Sequence, residues 1–159
     1  MMFKNEMADL IDQGKKTATR RLSTKKFYKV GSIQPIQRNY YAKATKWIRI
    51  LKRYKQKLRD MSNNDALKEG FTDRSSYFTY LAKINKKSLA KMGIVNPIQK
   101  CAENEFSDYR IDPKFLDLEP TVYEFEIVAS RMTNEFNSRA VFVANELTLE
   151  MFKKMTGDA

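Results

Sequence analysis

The sequence predicts an α+β fold, a small curved sheet or barrel with helices at its ends. Residues 121–128, TVYEFEIV, mix Val122, Phe125 and Ile127 with Tyr123, Glu124 and Glu126 in the near alternation of a half-buried strand. Two other segments carry apolar residues at helical spacing: Phe3, Met7, Leu10 and Ile11 early in the chain, and Tyr77, Phe78, Leu81 and Ile84 further on. Strand and helix segments follow no βαβ rhythm, which argues against a parallel sheet. A chain of 159 residues with 42% hydrophobic and 12% aromatic content buries one good core, so a single domain is the simplest organisation.

Taken in order, the first dozen residues form a short amphipathic helix that Gly14 ends. After a basic turn, residues 28–32 (YKVGS) lead into a strand over 33–37, where Pro35 implies an edge or a bulge because it has no N–H for a ladder. Residues 45–58 carry Trp47, Ile48, Ile50, Leu51, Tyr54 and Leu58 among positive charges. Their β-branched and aromatic content favours one long strand with lysines and arginines alternating outward; periodicity leaves a helix open as the alternative. Ser62, three residues before Asp65, has the spacing of a capping box for a short helix over 64–68 that stops at Gly70. A second helix begins near Thr72 or Asp73. Between residues 85 and 119, Gly93, Pro97 and Pro113 punctuate a stretch with few order signals. It reads as an insertion with one short helix near 97–103, of the kind that often covers a site. Beyond the strand at 121–128, residues 129–159 form an extension packed on the same domain, with strand-like AVFVAN at 140–145 and a helix from Thr148 carrying Leu149, Met151, Phe152 and Met155.

Charge and composition restrict the chemistry. Lysine and arginine outnumber aspartate and glutamate 30 to 19, a net charge of +11 that points to polyanionic partners: RNA, with DNA as a second candidate. Basic residues interleave with rings at Arg38-Asn39-Tyr40-Tyr41 and from Trp47 through Arg49, Arg53, Tyr54 and Lys55, which sets phosphate contacts beside stacking faces. The absence of histidine excludes Ser-His-Asp and Cys-His machinery, histidine-containing zinc sites and histidine acid/base pairs. No metal and no cofactor is expected. A lone cysteine, Cys101, rules out an internal disulfide framework and reads as a buried small hydrophobe. No apolar run approaches the roughly 18–20 residues of a membrane span, and the N-terminus lacks a signal-peptide apolar stretch, so the expectation is a soluble, cytoplasmic protein without a membrane partner.

Two segments carry the site chemistry. Residues 14–21, GKKTATRR, concentrate Lys15, Lys16, Thr17, Thr19, Arg20 and Arg21; residues 65–71, DALKEGF, set Glu69 beside Gly70 and Phe71. Together they supply a carboxylate, an amine, a hydroxyl and two guanidinium groups, enough to bind and to cleave something anionic or nucleobase-like. The plainer reading is that Lys15 and Lys16 meet a helix C-terminus, that Thr19 begins a strand and that Glu69 pairs with Arg21 to hold the fold closed.

GKKTATRR, the YKVGS turn, the long basic strand, DMSNNDALKEGF and the VYEFEIV strand, in that order, resemble the ASCH domain family of the PUA-like superfamily over about residues 3–128. The resemblance implies a small β-barrel of five to six strands with flanking helices, and a cleft that takes RNA or a modified nucleoside. It also implies roles: Lys16, Thr19 and Glu69 match the family's catalytic lysine, threonine and glutamate. Lys15, Thr17, Arg20, Arg21, Arg53 and Tyr54 are the expected ligand-binding residues. The domain would span 1–128 with its insertion at about 85–119. Two functions follow from different classes: a module that binds RNA or a modified nucleoside, or an enzyme of the same fold. The enzyme would be an amidohydrolase on N-acetylated cytidine or a metal-independent nuclease. In the amidohydrolase, Lys16 is the base, Thr19 the nucleophile, Glu69 the acid or water-orienting group and Arg21 an electrostatic clamp. The long insertion, the extension after residue 128 and the high charge suit a longer nucleic-acid strand better than a free nucleoside.

Overall fold

In a computed structural model, residues 1–22, 26–41, 43–100 and 109–128 are described. Helix α1 (Asn5–Asp12) is shorter than the expected dozen residues: it buries Met7 and Ile11 as predicted together with Ala8, Leu10 is half-buried, and Phe3 lies before the helix, bonded to Gln37. Its end is built by the chain folding back on itself: the amides of Lys15 and Lys16 both donate to the Leu10 carbonyl, at 2.9 and 3.1 Å. Gly14 makes that reversal possible at φ +71°, a conformation that costs a side-chain-bearing residue about 1–2 kcal/mol. Strand β1 (Ala18–Arg21) leaves this turn directly.

Strands β2 (Ile33–Pro35) and β3 (Trp47–Lys55) pair antiparallel, and β3 also pairs antiparallel with β6 (Thr121–Val128), which in turn holds β1. The sheet order is β1-β6-β3-β2, so Pro35 sits on an edge strand as its chemistry requires. Strand β3 keeps its inward alternation only through Ile48 and Ile50. Ile50 pairs with Phe125 and Lys52 with Glu124, leaving Leu51 as the extra residue of a bulge, 44% exposed. The expected strand over 45–58 is therefore shorter and broken in pattern, and Leu58 belongs to a 3-10 turn, Leu58–Asp60.

This sheet is open, which corrects the expectation of a closed barrel. The edge strands β1 and β2, four and three residues long, do not pair with each other. The N-terminal segment spans the gap between them instead. Gln37 donates its amide to Met1 and accepts from Phe3, while the Arg21 guanidinium donates to the Met2 carbonyl at 2.7 Å. Met2 and Gln37 form a single parallel bridge, not a ladder.

Helix α2 (Asn63–Lys68) carries the complete capping box that Ser62 and Asp65 predict. Helix α3 (Arg74–Ile84) starts from Asp73, whose side chain accepts from the Ser76 amide, and buries Tyr77, Phe78 and Leu81. Ile84, expected on the same face, is 39% exposed at the helix end.

The stretch at 85–119 is more ordered than its sequence suggests. It holds α4 (Lys86–Lys91), β4 (Ile98–Lys100), β5 (Tyr109–Ile111) and α5 (Pro113–Leu116), with β4 and β5 paired as a separate two-stranded sheet. The helix expected near 97–103 is a strand over Ile98–Lys100, and its remaining residues, with Cys101, lie outside the described part. The extension at 129–159, with its AVFVAN strand and the helix from Thr148, also lies outside the described residues.

Two apolar clusters form the interior. One gathers Met1, Phe3, Met7, Ala8 and Ile11 against Ile48, Ile50, Tyr123 and Phe125 of the sheet. The other gathers Leu58, Met61, Ala66, Tyr77, Phe78 and Leu81 with Leu89, Ile94 and Phe115 from the segment after α3. That segment thus supplies part of the core. Phe71 packs against both clusters.

Gly70 stands where α2 meets α1, at φ +89°, and a Cβ there would lie 2.8 Å from Leu10 Cδ1. Gly14, also at positive φ, has open space around it. Gly14→Ala is expected to cost about 1–2 kcal/mol in urea unfolding, the backbone term alone, and Gly70→Ala measurably more. Equal costs would show that Leu10 moves aside freely.

Candidate functional site

The turn after α1 and the end of α2 meet through backbone. The Thr17 amide donates to the Lys68 carbonyl at 2.8 Å, and the Phe125 amide donates to the Thr17 carbonyl at 2.9 Å. This stitches residues 16–21 between α2 and the central strand β6, and it brings Lys16 and Arg20 onto Glu69, the C-cap of α2. The two motifs, about fifty residues apart in sequence, are adjacent in space for that reason.

The Glu69 carboxylate is divided between two cations. Lys16 Nζ donates to Oε2 at 2.5 Å and to the Glu69 carbonyl at 3.1 Å; Arg20 Nη1 donates to Oε1 at 3.1 Å. Arg20 continues to Gln56 Oε1 at 2.6 Å and lies 3.6 Å from Asp65 Oδ1. Its charge also lies 6.0 Å from the centre of the Tyr77 ring. Lys16, Thr19, Arg20 and Glu69 are buried polar residues, at 3, 5, 5 and 2% exposure.

These four side chains and Arg21 line one cavity of about 370 Å³, walled also by Phe3, Tyr77 and Tyr80. A space of that size falls in the range of small-ligand sites. The Thr19 hydroxyl has no hydrogen-bond partner among the described residues, whereas Lys16 and Arg20 each donate to one oxygen of Glu69.

Burial sets the protonation chemistry. It pushes the Lys16 amine below the ordinary lysine value; Glu69 opposes this, and Arg21 and Arg20 act with it. Burial likewise lowers the Arg21 guanidinium, and it raises the Tyr77 phenol well above its usual value, with Glu69 adding to that rise. A lysine in this setting holds its proton less firmly than one in water.

The remaining expected residues are placed elsewhere. Lys15 and Thr17 are exposed and outside the cavity wall. Arg53 is exposed and stacks on Phe27, 3.9 Å from the ring centre, while Tyr54 donates to Glu124 at 3.1 Å, and burial with that carboxylate pushes its phenol up to about 12. Arg49 and Lys52 of the basic strand are matched by Glu126 and Glu124, at 3.1 and 3.7 Å. Glu69 meets Lys16 and Arg20 rather than the Arg21 partner the plainer reading gave it. Sequence reasoning missed Phe3, Tyr80 and Gln56. Tyr77 and Tyr80 share a helix face three residues apart just after the DALKEGF motif, a signal that was legible; nothing in the sequence marks Gln56.

Among the described residues no group of histidine, cysteine and carboxylate side chains could hold a metal ion, and no helix is long and apolar enough to cross a membrane.

A double-mutant cycle tests the ion pair. Glu69→Leu leaves two buried cations without it and is expected to cost about 3–5 kcal/mol of unfolding free energy. Adding Lys16→Met should recover about 1–3 kcal/mol relative to the sum of the single costs. Strictly additive costs in urea unfolding would mean that the contact carries no coupling.

Residues 1–93 match the family model described as the ASCH domain, a span that contains both motifs. Among solved structures, an ASCH domain from Lactobacillus crispatus JV V101 is similar at TM-score 0.55 and 21% identity, over 77% of this chain and 70% of that one. A protein from Enterococcus faecalis V583 is similar at TM-score 0.53 and 21% identity, over 78% and 68%. At such identities the two structures speak for the fold alone. No curated protein matches the chain. With its family model covering more than half of the sequence and its mixed fold shared with an ASCH structure, the chain belongs to the ASCH domain family.

Proposed function

We propose that the protein binds RNA or a modified nucleoside by taking a base into the cavity over Glu69. The observation that carries this reading is a buried carboxylate, held by a cation on each oxygen, in the wall of a cavity about 370 Å³ in volume beside three aromatic rings. A carboxylate accepts about four hydrogen bonds, and Lys16 and Arg20 occupy one site on each oxygen. Open lone pairs remain for a ring or exocyclic N–H, and Tyr80 and Phe3 offer faces on which a flat base can stack. The net charge of +11 draws in a polyanion from a distance. Membership of the ASCH family, whose domains are associated with nucleic acid, supports the same class of partner.

A second reading is favoured by one specific pair of facts: the depressed Lys16 amine and the unpartnered Thr19 hydroxyl in the same cavity wall. Moving one proton across the 2.5 Å contact gives a neutral amine and a protonated Glu69. Lys16 then takes the Thr19 proton as the threonine oxygen attacks the acyl carbon of an N-acylated cytidine. The C–N bond breaks, Glu69 delivers its proton to the leaving amine, and water later hydrolyses the threonine ester. The same groups have no comparable arrangement for phosphodiester cleavage, which makes the nuclease the lesser alternative.

Calorimetric titration with cytidine, N4-acetylcytidine and a short single-stranded RNA at two salt concentrations tests the first reading. Binding by the wild type is expected, with loss of base preference and an affinity drop of about tenfold or more in Glu69→Gln. Failure of all three to bind the folded wild type at low salt would overturn it. Release of acetate from N4-acetylcytidine, abolished by Lys16→Ala and Glu69→Gln and falling at high pH as the Lys16–Glu69 pair loses the proton it shares, would establish the second. Cleavage of labelled RNA would establish the nuclease instead.

A further inference from the structure

Arg21 is a half-buried cation that no anion among the described residues pairs with. Among the described residues it makes no ion pair, its one hydrogen bond goes to the neutral Met2 carbonyl, and its Nε is buried with no acceptor. Its neighbours deepen the imbalance. Lys16 and Arg20 already claim both oxygens of Glu69, and Arg38, the other guanidinium of the cavity wall, is held by Asp9 and Asp12. A desolvated guanidinium donor left unpaired costs free energy that an arriving anion would recover.

The same side chain also belongs to a second cavity. On the far side of the Met2 segment lies a space of about 400 Å³ whose wall includes Arg21, Lys26, Tyr28, Gln34 and Gln37. Among the described residues the wall holds two side-chain cations, two primary amides and a phenol, and no carboxylate. Such a lining offers donors from several directions and nothing to repel negative charge. Met2 and Arg21 stand in the walls of both cavities, so the two spaces are neighbours with a shared partition.

We infer that this second cavity is a phosphate site and that, with the base cavity beyond Arg21, it selects a nucleotide over a free nucleoside. The half of this inference that joins the two cavities rests on the proposed base-binding reading; the phosphate site itself does not. Arg21 presents its forked donors to the phosphate oxygens, Lys26 adds a mobile point charge from the exposed rim, and Gln34 and Gln37 supply amide donors. The anion completes the pairing that Glu69 cannot give Arg21. The shared chemistry, a phosphate ester beside a base, belongs both to a mononucleotide and to an RNA strand.

Titrations at constant ionic strength with inorganic phosphate, cytidine, cytidine 5′-monophosphate, cytidine 3′-monophosphate and a cytidine dinucleotide separate the possibilities. At least one phosphorylated ligand is expected to bind wild type about 10- to 100-fold tighter than cytidine, with inorganic phosphate raising the unfolding temperature. A gain seen with a monophosphate identifies a free nucleotide; a gain confined to the dinucleotide identifies an internucleotide phosphate of RNA. Arg21→Gln should erase the gain. Lys26→Ala, at an exposed position outside the base cavity, should reduce it severalfold while leaving cytidine affinity unchanged. Cytidine binding with no gain from any phosphate overturns the phosphate site and leaves the base reading intact. Phosphate binding lost in Arg21→Gln, with no cytidine or nucleotide binding, does the reverse. A gain that survives both substitutions overturns the assignment to this cavity.

Discussion

The contact on which the rest depends is the buried carboxylate of Glu69 shared between Lys16 and Arg20, partners 53 and 49 residues away. Burying one acid with two bases is favourable only when each hydrogen bond is made and the geometry is fixed from outside. Here the fixing is done by backbone: Leu10 terminates α1 by accepting from Lys15 and Lys16, and Thr17 is bonded to Lys68 on one side and Phe125 on the other. The polar cluster is thus held in place by main-chain bonds that no side-chain substitution removes. What the side chains add is the chemistry.

Much of this was legible from residue types. Gly14, the Ser62 and Asp65 pair and Pro35 each have a local cause and a local result, and each appears where the sequence puts it; TVYEFEIV forms its strand, but Tyr123 is buried beside Val122 and Ile127 is exposed. Sheet closure was not legible. Whether edge strands meet is set by tertiary competition, and β2 ends at Pro35, where Ile36 and Gln37 leave the strand and bond to Lys46 and to the N-terminal segment instead. The 85–119 stretch was misread for a similar reason. Its Leu89, Ile94 and Phe115 are isolated in sequence and show no period, yet three isolated apolar residues can fill one cluster when two short helices and the turn after the first deliver them.

The candidate site divides along the same line. Lys16, Thr19, Arg20, Arg21 and Glu69 lie in two compact motifs and reach one cavity. Arg53 and Tyr54 were inferred from composition, basic beside aromatic, and composition says nothing about which neighbour a charge will find. On β3 the partners come from β6: Glu124 and Glu126 face Lys52 and Arg49 across the ladder. A basic strand in sequence is a largely neutralised pair of strands in space.

Phe71, one residue past Gly70, touches the rings of Tyr77 and Tyr80 at 5.4 and 5.1 Å and is shared by both apolar clusters. A ring owned in common leaves neither half of the interior able to loosen privately, since opening one strips the other of its wall. Loosening either cluster around Phe71 therefore removes a contact from the other, which couples the two along the seam where the acid and bases lie.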